Sequence, residues 1–72
     1  MIKLPILSAK ALIKFLEKDG FYIVRQRGSH IRLHHKVKDP VTVPNHKTIS
    51  KGLLKKILRD TQLSISDFNK SV

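Results

Sequence analysis

Phe21-Tyr22-Ile23-Val24-Arg25-Gln26-Arg27-Gly28-Ser29-His30-Ile31-Arg32-Leu33-His34-His35 is the stretch on which the fold turns. Residues 21–26 are aromatic and β-branched and predict a strand. Arg27-Gly28-Ser29 predicts a turn. From His30 to His35 the side chains alternate, with Ile31, Leu33 and His35 on one side and His30, Arg32 and His34 on the other. The apolar pair must meet the core. His30, Arg32 and His34 are therefore expected in a line on the exposed face of an antiparallel hairpin.

Working outward, Ser8 reads as a helix N-cap whose hydroxyl accepts a bond from an unpaired backbone N–H. Ala9, Leu12, Ile13 and Leu16 follow with the spacing of one buried helical face, while Lys10, Lys14, Glu17 and Lys18 fall elsewhere. Gly20 supplies a residue for which positive φ is cheap, so a first helix is expected over 9–19. Beyond the hairpin, residues 36–40 form a loop and Val41-Thr42-Val43 a short third strand closed by Pro44. Asn45-His46-Lys47-Thr48 leads to a second helix capped by Ser50, with Leu54, Ile57 and Leu58 as its apolar stripe and Leu53 beside it. The closing segment is expected to pack back through Leu63, Ile65 and Phe68, with Ser66 starting a short turn. The order α-β-β-β-α predicts an α+β fold: a three-stranded antiparallel sheet with two helices on one face.

Seventy-two residues suit one domain, 1–72, without room for a second core. A domain of this size buries only about 60% of the surface of its unfolded chain, which predicts modest stability unless a partner covers some of the rest. There are no cysteines, so disulfides and thiolate metal sites are excluded, and a cytoplasmic setting is expected. The longest apolar run, Phe21-Tyr22-Ile23-Val24, is far short of a membrane span. Neither a signal-peptide pattern nor a lipidation motif is seen, so no membrane association is expected.

Charge is the strongest bulk signal. Fifteen Lys and Arg against five Asp and Glu give a net charge of +10. So much charge on so small a body repels itself and attracts polyanions, nucleic acid first among them. Histidine gains and loses protons near neutral pH, and His30 stands among arginines. An acid/base group in an anion-collecting site points to chemistry on a phosphodiester. Arg27, Arg32 and Lys47 are candidates to offset charge on phosphoryl oxygens. Lys47, Lys51 and Lys55 recur every four residues as a cationic ridge at the start of the second helix. The helix dipole favours anions there, a conflict that a bound phosphate removes; a solvated helix face is the plain alternative. His34 and His35 are adjacent and point to opposite faces, and no recognised metal-ligand spacing exists, so neither a metal nor a cofactor is expected. His35 reads as structural.

The order of elements and five segments together resemble the HicA toxins, the YcfA-like family of mRNA interferases. The segments are Leu16-Glu17-Lys18-Asp19-Gly20-Phe21; Arg25-Gln26-Arg27-Gly28-Ser29-His30; Val41-Thr42-Val43-Pro44-Asn45-His46; Gly52-Leu53-Leu54-Lys55-Lys56-Ile57-Leu58; and Leu63-Ser64-Ile65-Ser66-Asp67-Phe68. The resemblance implies a double-stranded-RNA-binding-domain-like fold, RNA cleavage without a metal, and a HicB antitoxin that holds the toxin inactive. It implies that His30 is the catalytic residue, with Gly28 and Ser29 shaping its turn. Arg25, Arg27, Gly28, Ser29, Arg32, Lys47, Lys51 and Lys55 are then the expected RNA-binding residues. His46 matches a recurrent family position without an assigned role. Asp60-Thr61-Gln62 departs from the pattern, lacking the glycine often found before the closing segment. The alternative is a non-catalytic, double-stranded-RNA-binding-like module.

Overall fold

Ser8 opens helix α1 (Ala9–Lys18), its Oγ accepting from the Ala11 N–H at 3.2 Å. The buried stripe is Ala9, Leu12, Ile13, Phe15 and Leu16, so Phe15 widens the face read from the sequence. At the exit the Gly20 N–H donates to the Glu17 carbonyl at 3.0 Å and the Phe21 N–H to that of Leu16 at 3.1 Å. These are the paired bonds of a Schellman turn, which needs a left-handed residue at Gly20, where φ is +110°. A Cβ on Gly20 would also stand 3.0 Å from His35 Nε2. This computed structural model describes residues 6–71.

Three strands follow: β1 (Tyr22–Arg27), β2 (His30–His34) and β3 (Val41–Pro44), in an antiparallel sheet of order β1-β2-β3. Each lies within a residue of its expected bounds; β2 stops at His34 because His35 turns away to pack its ring 4.7 Å from that of Phe21. The hairpin loop is only Gly28-Ser29, closed by the Arg27–His30 pair. Gly28 has φ +55°, and Ser29 is not among the described residues of positive φ. That sign pattern is the type II′ turn, whose twist matches the flanking strands. The Asn45 N–H reaches the Ser29 carbonyl at 2.5 Å and ties the turn to the exit of β3.

The core gathers Ile31 and Leu33 of β2, Val41 and Val43 of β3, the α1 stripe, and Leu54, Ile57 and Leu58 of helix α2 (Lys51–Asp60). Helices thus cover the Ile31–Leu33 side of the sheet, as expected. Strand β1 contributes nothing to this core, every one of its residues being exposed. Ser50 caps α2 as read, accepting from the Leu53 N–H at 3.2 Å. The connection into α2 is pinned beside α1: the His46 carbonyl accepts the Ala9 N–H at 3.0 Å, and the Ile49 N–H meets the Leu7 carbonyl at 2.6 Å.

The exit of α2 repeats the Schellman geometry without a glycine. The Gln62 N–H donates to the Arg59 carbonyl at 3.1 Å and the Leu63 N–H to that of Leu58 at 2.9 Å, with Gln62 at φ +60°. Thr61, fully buried, returns its hydroxyl to the Ile57 carbonyl at 2.7 Å. A third, short helix, α3 (Ile65–Ser71), then closes the chain's described part. Its cap is Ser64, not Ser66: Ser64 Oγ accepts from the Asp67 N–H at 3.1 Å, and Asp67 Oδ2 accepts from the Ser64 N–H at 2.9 Å. This reciprocal box satisfies two donors at once, which a start at Ser66 cannot do. Phe68 sits edge-on to Phe15 at 5.2 Å, and Leu63 and Ile65 pack against the core as expected.

Candidate nucleic-acid interface

One irregularity in β1 builds the site. Cross-strand pairs run Arg27–His30, Gln26–Ile31, Arg25–Arg32, then Ile23–Leu33 and Tyr22–His34, leaving Val24 unpaired in a bulge. A strand without a bulge would put Arg25 and Arg27 on the same side as Ile23, under the helices. The extra residue reverses the alternation. Arg25, Arg27 and Tyr22 consequently share the outer face with His30, Arg32 and His34.

These side chains line a hollow of about 590 Å³ made by Val24, Arg25, Arg27, His30, Arg32, His34 and Thr42. His30 stands at the turn end of β2, opposite Arg27 on one side and Pro44 on the other. Arg32 donates from its guanidinium to Thr42 Oγ1 at 3.0 Å, which lays it across β3. Three guanidinium groups and two imidazoles around one open hollow have no acidic residue among their lining neighbours. Such a site attracts an anion and can move a proton next to it.

The structure separates the other expected residues from this hollow. Gly28 and Ser29 act through the backbone of the turn that presents His30. Lys47, Lys51 and Lys55 are exposed but do not line the hollow; α2 lies on the opposite side of the sheet and begins at Lys51, so Lys47 precedes the helix and the expected helical ridge holds only Lys51 and Lys55. Val24 and Thr42 were not singled out from sequence. Thr42 was legible, since it alternates with the inward Val41 and Val43; Val24 was not, because a bulge in a run of apolar residues leaves no periodic trace.

The remaining histidines divide cleanly. The His35 ring lies with Nε2 2.9 Å from the Asp19 carbonyl, while Nδ1 accepts from the Val37 and Lys38 N–H groups at 3.0 and 3.2 Å. These contacts select the tautomer that carries its proton on Nε2. The Asp19 carboxylate pairs with Lys38 at 2.6 Å. His35 thus locks the loop after β2 onto the end of α1, the structural role read for it. His46 has an exposed side chain and contributes its carbonyl to the α1 start. Among the described residues no cluster of His, Asp and Glu is arranged to hold a metal ion, and no helix is long and apolar enough to cross a membrane.

Fold and site together define a small, strongly basic α+β protein with a histidine–arginine face on its open sheet surface. Residues 9–63 match the family model of the HicA toxin of bacterial toxin-antitoxin systems, and the chain belongs to that family. It is a toxin that pairs with an antitoxin. Comparisons with curated proteins and with solved structures give no match.

Proposed function

We propose that this toxin belongs to a type II system and is a metal-independent endoribonuclease that cleaves mRNA in the cytoplasm, with His30 as its general acid/base. The observation that carries the proposal is the hollow in which His30 stands among Arg25, Arg27 and Arg32. RNA contains its own nucleophile. The imidazole takes the 2′-hydroxyl proton as that oxygen bonds to the neighbouring phosphorus. The bond from phosphorus to the 5′-oxygen breaks, and the departing oxygen takes up a proton from the imidazolium or from water. The guanidinium groups offset the charge gathered on the phosphoryl oxygens. A HicB-like antitoxin of acidic character is the expected partner, covering the same face.

Replacing His30 by Ala should lower cleavage by about 10²–10⁴-fold, the usual contribution of a positioned acid/base group. His30 is exposed at the end of a strand, so the variant should retain its fold and most of its affinity for RNA. Cleavage near the wild-type rate by the purified variant would refute the assignment. The same assay run in EDTA separates the enzyme from a non-catalytic RNA-binding module: the enzyme yields fragments with defined ends, the module only a gel shift of intact RNA.

A further inference from the structure

One part of the outer face is unlike the rest. Beside the arginines, at the end away from the hairpin turn, Tyr22 and Val24 are 51% and 44% exposed. The Tyr22 ring stands 6.3 Å from that of His34, nearly edge to face, across the β1–β2 pair. The three phenylalanines are all in the core, so Tyr22 is the sole exposed aromatic among the Phe, Tyr and Trp residues. A tyrosine that served only to fill space would be better placed on the helix side. Here it stands at the end of a face otherwise lined by arginines and histidines, with a second planar ring at its edge.

We infer that Tyr22, with His34 at its edge, is a stacking platform for one base of a single-stranded RNA whose phosphates lie over the Arg25, Arg27 and Arg32 end. This rests on reading the hollow as an RNA site and names the form of RNA it takes. From His30 to His34 the strand advances about 13 Å at roughly 3.3 Å per residue. The two ends of the face therefore engage different parts of one strand: phosphate and ribose at the histidine, a base at the tyrosine. A duplex keeps its base faces covered, whereas an unpaired strand offers them for stacking on aromatic side chains. An acidic protein would be held by the arginines as well, but it does not account for an exposed ring paired edge-on with another.

The test uses the protein's own spectroscopy, since the chain has one Tyr and no Trp. A single-stranded 2′-O-methyl oligonucleotide, which lacks the reacting hydroxyl, is titrated into the wild-type protein. Tyrosine emission should be quenched, and an abasic strand of equal length should bind more weakly without quenching. Tyr22→Ala should weaken oligonucleotide binding about tenfold or more, in keeping with base–aromatic stacking, while Tyr22→Phe should keep most of it. Circular dichroism checks that both variants are folded. Equal affinity of Tyr22→Ala and wild type, or equal quenching by the abasic strand, would overturn the platform. Tighter binding of a blunt duplex than of the single strand would overturn it too. If Tyr22→Ala instead weakens only the complex with an acidic partner protein, the ring is a protein contact and the inference falls. Failure of the His30 assignment is distinct, because full cleavage by His30→Ala leaves these binding results standing.

Discussion

Two helix exits in this chain use the same geometry with different residues, and the difference is measurable. Gly20 accepts φ +110° at little cost; Gln62 is held at φ +60°, where a residue with a Cβ is strained by roughly 1–2 kcal/mol. Gln62→Gly should relieve that strain, partly offset by the added freedom of the unfolded chain, for a net gain of about 0.5–1 kcal/mol. In a domain of this size that is a rise of several degrees in melting temperature. Gly20→Ala should do the reverse and more, because its Cβ also meets His35 Nε2, the atom that faces the Asp19 carbonyl. Calorimetry on the two variants checks both signs; an unchanged midpoint in Gln62→Gly would mean the strain is absorbed elsewhere. The sequence left the α2 exit open because the glycine that usually marks it is missing, yet the hydrogen bonds are those of the ordinary motif.

At the scale of elements, the bulge in β1 determines which residues meet the arginine face. Deleting Val24 should leave every cross-strand pair in place, giving a regular ladder with Arg25 still opposite Arg32. Deleting Arg25 should give the same ladder with Val24 in that position. Both variants should fold, and only the second should lose affinity for polyanions. Cross-strand nuclear Overhauser contacts between residues 25 and 32 in the first variant are the check, and their absence would show that the bulge sets the register. The helices were legible in advance, since Ser8 and Ser50 stand directly before clear apolar stripes. So were the turn and the outward line of His30, Arg32 and His34, because β2 alternates strictly. Strand β1 was only half legible. Its apolar run gives no face, so the placing of Arg25 and Arg27 beside His30 follows from pairing that no local pattern encodes. The start of α3 was misread for a simpler reason: Ser64-Ile65-Ser66-Asp67 holds two serines, and only Ser64 is spaced to exchange bonds with Asp67.

For the molecule as a whole, charge governs association. RNA affinity should fall steeply with salt, with a logarithmic slope of about −0.7 per phosphate contacted on a single strand. Lys51 and Lys55 lie on α2, away from the hollow, so replacing them should weaken binding through the long-range field of the protein without altering the cleavage pattern. A slope near zero in the wild type would remove the electrostatic account. An acidic antitoxin over the His30 face should compete with RNA and raise the melting temperature. By mass action it adds about 2.7 kcal/mol at a free concentration one hundred times its dissociation constant. A ternary complex that still cleaves RNA at full rate would place the antitoxin elsewhere. The open border of the sheet along β1 carries a consequence of another kind. Tyr22, Ile23 and Val24 form a short apolar segment on an edge strand whose outer side has no partner strand in the sheet, the sort of template on which further chains add to build fibrils. A bulge and charged side chains are the usual guards of such an edge, and β1 carries both, in the bulge at Val24 and in Arg25 and Arg27. Neutralising both arginines to silence the toxin should therefore drive it out of solution, and an inactive preparation of that variant reports aggregation before it reports chemistry.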